Sequence, residues 1–338
     1  MTQQEINLLL KGLPQHCLKR ELIETHISWV ILCDQYVYKI KKPIQYSFLN
    51  FSTLEKRHHY CVQEIRLNWR LTFNVYLNIQ EIKKTVEGIS IGSDNGQVID
   101  YAVRMVKLPP SDRMDLLLSQ DQVSEDNIEE LAEQLATFHQ KAEVINTQDV
   151  MEIEAKFNDL KNEIEFLEEE LGSWSGILIR DALLTSHQFL KKAKTQLEWR
   201  LKNGFYRDGH GDLHTRNIFL LPRPVIFDCI EFDDKLRQID ILNEVAFLCM
   251  DLDALGKSTF GDIFLRKYCE FSGLTFGTDE KILFIYYKAY RANVRAKINS
   301  LRARGAQKSL AREKALAETE KYLYQMESYL RLLKTDAI

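Results

Sequence analysis

The spacing of apolar residues changes character part-way along the chain. Residues 25–42 (THISWVILCDQYVYKIKK) are rich in β-branched and aromatic side chains and are broken by the turn-like pair Asp34-Gln35. They predict a hairpin whose second strand runs from Tyr36 to Lys41. Ser52-Thr53-Leu54-Glu55 reads as a capping box that opens a helix reaching about Leu71. Residues 79–107 predict further strands, with turns at Glu87-Gly88 and at Asp94-Asn95-Gly96. Leu108-Pro109-Pro110 ends this pattern, and beyond it the period becomes helical.

Ser124 caps a helix with Ile128, Leu131, Leu135, Phe138 and Ala142 on one face. Ile153, Phe157, Leu160, Ile164, Leu167 and Leu171 then follow at steps of four and three, a narrow seam with an acidic outer face. It spans fewer than three heptads, which favours packing within its own domain over a coiled-coil partner. Residues 181–203 predict a helix stopped by Gly204, and 205–228 hold a small hairpin joined by Pro222-Arg223-Pro224. From about 239 the pattern is helical to the end. The chain therefore divides into a small strand-rich lobe, residues 1–107, and a large helical lobe, residues 108–338.

Composition narrows the class of protein. With 45% hydrophobic residues the chain can fill a core, and a net charge of −4 argues against a protein built mainly to grip nucleic acid. The cysteines (Cys17, Cys33, Cys61, Cys229, Cys249, Cys269) form no CxxC pair. This spacing suits neither a zinc knuckle nor a disulfide framework and fits reduced thiols in a cytoplasmic protein. The first residues lack the basic-then-apolar pattern of a signal peptide, and no apolar run approaches the ~18 residues of a membrane span.

The chemistry concentrates in one loop, His210-Gly211-Asp212-Leu213-His214-Thr215-Arg216-Asn217, followed a short strand later by Ile226-Phe227-Asp228. An Asp five residues before an Asn, with a second Asp closing the next strand, is the arrangement that phosphoryl transfer uses. Nucleotide phosphates need Mg²⁺ to bridge them, and hard Mg²⁺ takes oxygen ligands, here Asn217 and Asp228. Asp212 would engage the acceptor hydroxyl and take its proton. Upstream, a strand lysine must hold the phosphates and a helix glutamate must hold the lysine. Lys39 sits mid-strand on the face of Val37, and Lys41, one step on, is its rival. Glu64 falls on the inward stripe with Cys61, Ile65 and Asn68, where a carboxylate needs a cation. The expected pair is Lys39 with Glu64.

The pattern HGDLHxxN followed by a strand-borne Asp resembles the aminoglycoside phosphotransferase-like kinases. Val37-Tyr38-Lys39-Ile40-Lys41-Lys42-Pro43, residues 51–57 and residues 227–252 are similar to one poorly characterised bacterial branch, whose members are often fused to a C-terminal ATP-binding domain. These 338 residues leave no room for that second domain. The resemblance covers roughly residues 20–300. It implies an α+β, bilobal, protein-kinase-like fold with a small antiparallel-sheet N-lobe, a large helical C-lobe and the nucleotide in the cleft. It implies Mg²⁺ and ATP, with GTP as the alternative, and a hydroxyl-bearing acceptor. By position, the stretch from Met105 through Lys107 to Leu108 would offer backbone groups to adenine. The first hairpin departs from protein kinases in having no glycine to cover the phosphates.

Other readings compete. Gly256-Lys257-Ser258-Thr259 imitates the tail of a P-loop but follows a helical segment and has Asp251 at the first glycine position. A dinuclear metallophosphoesterase would need further histidine blocks, and no histidine follows residue 188 outside this loop. His210 and His214 are read as loop supports, and His139 as a histidine at the edge of the core. The basic run Lys288, Arg291, Arg295, Lys297, Arg302, Arg304, Lys308, Arg312, Lys314 reads as a solvated helix face, with an anion- or RNA-binding patch as the sharper alternative. Glu231, Asp233, Asp234 and Asp240 near the loop favour a cationic or neutral polyol as acceptor, and Asp233, Arg237 and Asp240 equally suit supports of the loop. The competing class is a nucleotide-binding pseudokinase or partner-binding module without transfer activity.

Overall fold

The strand-forming runs of the first hundred residues gather into one antiparallel sheet, in a computed structural model that describes residues 1–14, 17–46, 49–306 and 310–335. Helix α1 (Gln3–Lys11) precedes strands β1 (Glu21–Glu24), β2 (Ser28–Leu32) and β3 (Tyr36–Lys41). The two-residue strands β4 (Gln45–Tyr46) and β5 (Leu49–Asn50) pair with each other ahead of helix α2 (Leu54–Asn68). Strands β6 (Tyr76–Lys84), β7 (Ile89–Ile91) and β8 (Gln97–Val106) complete a six-stranded sheet of order β1-β2-β3-β8-β6-β7.

Side chains alternate across the sheet. Tyr38 and Ile40 face one side and pack with Trp29, Ile31, Ile82 and the α1 residues Ile6 and Leu9. Val37 faces the other side, with Val103, Met105 and Tyr76, against Cys61 and Ile65 of α2. Lys39 and Lys41 share the face of Val37 by the same alternation. The start of α2 differs from expectation by one residue. Thr53, not Ser52, is the cap, accepting from the Lys56 N–H, while the Ser52 hydroxyl turns to Asn50. Both side chains can cap, and such a bond is worth ~1 kcal/mol, so local pattern alone does not choose between them.

After the short helix α3 (Met114–Ser119) come α4 (Glu125–Lys141), α5 (Glu152–Asn158), α6 (Ile164–Leu171), α7 (Ser173–Lys202) and β9 (Tyr206–Asp208). The hairpin β10 (Ile218–Phe219) and β11 (Val225–Ile226) follows, then α8 (Asp234–Arg237) and β12 (Gln238–Asp240), which pairs with β9. Helices α9 (Ile241–Ala254), α10 (Ser258–Ser272), α11 (Thr278–Gly305) and α12 (Leu310–Thr335) finish the chain. Two compact units result. The first comprises Met1–Leu116, His210–Asp212 and Arg216–Arg237; the second comprises Leu117–Gly209, Leu213–Thr215 and the chain from Gln238 onward. The α+β class expected from the sequence is what forms. Among the described residues no helix is long and apolar enough to cross a membrane.

In the helical unit, α9 is buried from Leu242 to Leu252, and its buried polar residues Asn243, Glu244 and Asp251 are paired with Arg291, His139 and Thr215. The seam of residues 153–171 is not one helix. A 3-10 segment, Asp159–Glu163, separates α5 from α6. Phe157 stacks on Tyr286 and Tyr290 of α11, so the seam does pack within its own unit. The basic run is largely consumed inside this unit. Arg291 and Arg295 are buried, Arg291 on Asn243, while Lys288, Lys297, Arg304 and Arg312 pair with Asp253, Asp159, Glu163 and Glu170. Lys308 lies outside the described residues. Gly256 and Lys257 lie in the turn between α9 and α10, with Gly256 at φ +72°, and Ser258-Thr259 open α10.

The reading of all six thiols as reduced is corrected. Cys17 and Cys33 form a disulfide, with Cα atoms 4.8 Å apart. The segment ahead of β1 folds back beside the β2–β3 turn, where the Asp34 carboxylate accepts from the N–H groups of Leu18 and Lys19. That return is tertiary, and cysteine spacing does not report it.

Candidate active site

Strand β3, helix α2 and the segment after β11 bring five charged groups together in the sheet-bearing unit. Lys39 Nζ lies 2.8 Å from Glu64 Oε1 and 2.6 Å from Asp228 Oδ1. Lys41 Nζ lies 2.7 Å from Glu64 Oε2 and pairs also with Glu231. The two rival lysines thus share one carboxylate, each taking one oxygen. Glu64 is fully buried and Lys41 is 1% exposed, whereas the Asp228 side chain is 42% exposed. The cluster sums to two ammonium groups against three carboxylates, an excess of one negative charge, and Asp228 is its exposed member.

Burial alone would push the Glu64 carboxyl up, but the Lys39 and Lys41 ammonium groups outweigh it and hold it below the usual carboxylate range. Glu231 goes the other way. Its burial raises it, Lys41 offsets only part of that, and the Glu64 charge adds to the rise. Burial disfavours the Lys39 cation, yet the Asp228 and Glu64 carboxylates more than reverse this and raise its pKa.

The loop His210–Asn217 is held from within. The Asp212 N–H donates to His210 Nδ1 at 3.2 Å, and His210 Nε2 lies 2.9 Å from the Phe227 carbonyl oxygen. This makes His210 a buried brace between the loop and the strand before Asp228. Gly211 has φ +88°, and a Cβ there would lie 2.8 Å from the Leu236 carbonyl oxygen, so the turn requires glycine. Asn217 Nδ2 donates to Asp212 Oδ2 at 3.1 Å and to the Asp212 carbonyl oxygen at 3.0 Å. The amide is therefore turned with its nitrogen to Asp212. Asp228 has φ +64°, in the left-handed region, and its N–H donates to the Tyr76 hydroxyl at 3.2 Å. In the helical unit, Thr215 donates to Asp251 through both its N–H and its hydroxyl, and the Tyr322 hydroxyl holds the other Asp251 oxygen.

The structure brings Lys39, Glu64 and Asp228 into direct contact, and Asp212 and Asn217 into a second pair. Met105 lies within the sheet ladder, in register with Val37 and Tyr76, its side chain in the core. The Lys107 N–H donates to the Gln35 carbonyl oxygen, and its Nζ donates to that of Cys33. Glu231 and Asp240 do not act as acceptor-facing acids. Glu231 is buried on Lys41, and Asp240 is buried on Arg200 in the helical unit. The sequence reading missed the Lys41–Glu231 bridge and the hydrogen bond from the Cys229 N–H to Asn68 Oδ1. Asn68 gave a signal, since it shares the inward stripe of Glu64; Glu231, one of a run of acids, gave none.

No protein-family model matches the chain. Over 284 residues it is 33% identical to uncharacterised proteins of Mycobacterium tuberculosis and Mycobacterium bovis, covering 82% of this chain and 54% of each relative. The chain thus spans about half the length of the curated relatives it matches. Among solved structures, choline kinase from Cryptosporidium parvum superimposes with a TM-score of 0.52 at 9% identity, over 94% of this chain and 89% of that one. The fold is kinase-like, as in that structure. On such a kinase-like scaffold, at this identity, the likeness speaks for the fold alone; chemistry must be argued from the side chains.

Proposed function

We propose that this protein is a magnesium-dependent phosphotransferase that moves the γ-phosphoryl group of ATP, with GTP as the alternative, to a hydroxyl of a small-molecule acceptor. The observation that carries the reading is the contact of Lys39 with both Glu64 and Asp228 in one unit, in a chain whose Asp212 and Asn217 are also paired. Lys39 would leave Asp228 to hold phosphate oxygens, with Glu64 keeping its direction. Asp212, oriented by Asn217, would accept the acceptor's hydroxyl proton. With its nitrogen on Asp212, the Asn217 amide would offer its oxygen to a cation that the half-exposed Asp228 carboxylate would share.

This donor set suits magnesium, whose charge would neutralise the phosphates. Among the described residues no three His, Cys, Asp or Glu side chains gather as a metal site. A metal held by one Asp, one Asn and phosphate oxygens has no need of such a group, and its binding should depend on nucleotide. Cytoplasmic placement and the division at residue 107 remain parts of this proposal.

A second reading has one observation in its favour. The Lys39–Asp228 pair occupies both the phosphate lysine and the metal aspartate, as a pseudokinase could retain permanently. Slow hydrolysis of ATP, with water as acceptor, separates the two. We expect Asp212→Ala to lower its kcat by roughly 10²–10⁴ without loss of nucleotide affinity. Equal hydrolysis by the two proteins would refute the role of Asp212 and favour the pseudokinase.

A further inference from the structure

Lys41 has no part in the phosphotransfer scheme, yet it is the more buried of the two lysines. Its ammonium group lies between Glu64 and Glu231 and 4.9 Å from the centre of the Phe51 ring. A lysine placed this deep is costly unless paired, and here it is paired twice. Its three attachments join different elements: its own backbone is in β3, Glu64 is in α2, and Glu231 follows Asp228 by three residues. A second tie runs parallel, from the Cys229 N–H to Asn68 Oδ1, one helical turn beyond Glu64.

We propose that Lys41 is a positioning residue that locks α2 and the Asp228–Glu231 segment to β3, so that Asp228 can exchange Lys39 for metal without loss of geometry. The inference rests on the phosphotransfer reading. When nucleotide arrives, Lys39 must turn to phosphate and its bond to Asp228 must open. Glu64 then has only one lysine still fully committed to it, and that lysine is Lys41. Glu231, buried and facing no cation closer than Lys41, depends on the same group. Removing Lys41 leaves one ammonium group against three carboxylates, an excess of two negative charges in place of one.

The test compares wild type, Lys41→Met, Glu231→Gln and the double variant. Three quantities are read: the thermal midpoint, hydrogen exchange of residues 226–233 and of α2, and affinity for a fluorescent ATP analogue with magnesium. Lys41→Met should lower the midpoint, and adding Glu231→Gln should recover most of it, because the uncompensated carboxylate is gone. Exchange in both segments should nevertheless stay about tenfold faster than wild type, and nucleotide affinity about tenfold weaker. If Lys41→Met does not fold, the double variant carries the comparison. Exchange protection and affinity that return together with the midpoint would overturn the proposal, leaving Lys41 a charge-balancing residue only; so would wild-type exchange in both variants. A wild type that binds no nucleotide would refute the phosphotransfer reading instead, while exchange would still decide whether Lys41 locks the two segments.

Discussion

Replacing Glu64 by glutamine keeps the shape of the side chain and removes the charge that two lysines share. The substituted amide can still accept from one ammonium group, but its NH₂ must then face the other, donor against donor. Lys39 and Lys41 each retain a second carboxylate, Asp228 and Glu231 respectively. The full ~3–5 kcal/mol of a broken buried ion pair is therefore too large. One lost charge-assisted hydrogen bond, ~1.5–3 kcal/mol, with a buried amide left facing a cation, gives about 2–4 kcal/mol. For a chain of this length melting as one, with an unfolding entropy of about 0.7 kcal/mol/K, the midpoint should fall by about 3–6 °C. The pH dependence has a definite sign. The folded Glu64 carboxyl is held below its ordinary value, so its contribution is complete above ~4.3 and is lost as pH falls through the depressed folded value. Scanning calorimetry of wild type and Glu64→Gln from pH 3 to 8 should show a difference that is flat above pH 5 and narrows in acid. A difference under 1 °C, or one that widens on acidification, would refute the assignment of Glu64 as the shared anion.

Two further outcomes follow from the same geometry. Gly211→Ala should cost at least ~1–3 kcal/mol in denaturant unfolding, because alanine must adopt φ +88° with its Cβ against the Leu236 carbonyl oxygen; an unchanged midpoint would contradict the described turn. Reducing the Cys17–Cys33 disulfide, which closes a loop of sequence separation 16, should lower stability by about 3 kcal/mol, and Cys17→Ser should match the reduced wild type.

The sheet was legible because strands β2, β3 and β8 are rich in β-branched and aromatic residues and the intervening turns carry Gly and Asp. Glu64 was legible because an acid on an apolar helical stripe demands a cation. The choice between Lys39 and Lys41 was not, since a period of two places both on the same face and only the third dimension divides one carboxylate between them. Glu231 looked like a solvent-facing acid near the acceptor because a run of acids gives no sign of which one is buried. The basic run misled in the same way: buried Arg291 and Arg295 have the same letters as a surface patch. The 3-10 break at Asp159–Glu163 is invisible to apolar spacing, which continues at steps of four and three straight through it.

The central claim is a magnesium–nucleotide site built on Asp228. Its most direct measurement is titration of wild type and Asp228→Ala with ATP and GTP, with and without magnesium, followed by slow hydrolysis. Binding and hydrolysis that need both magnesium and Asp228 are the predicted result. Magnesium-independent binding, equal turnover by Asp228→Ala, or no nucleotide binding by the wild type would contradict it.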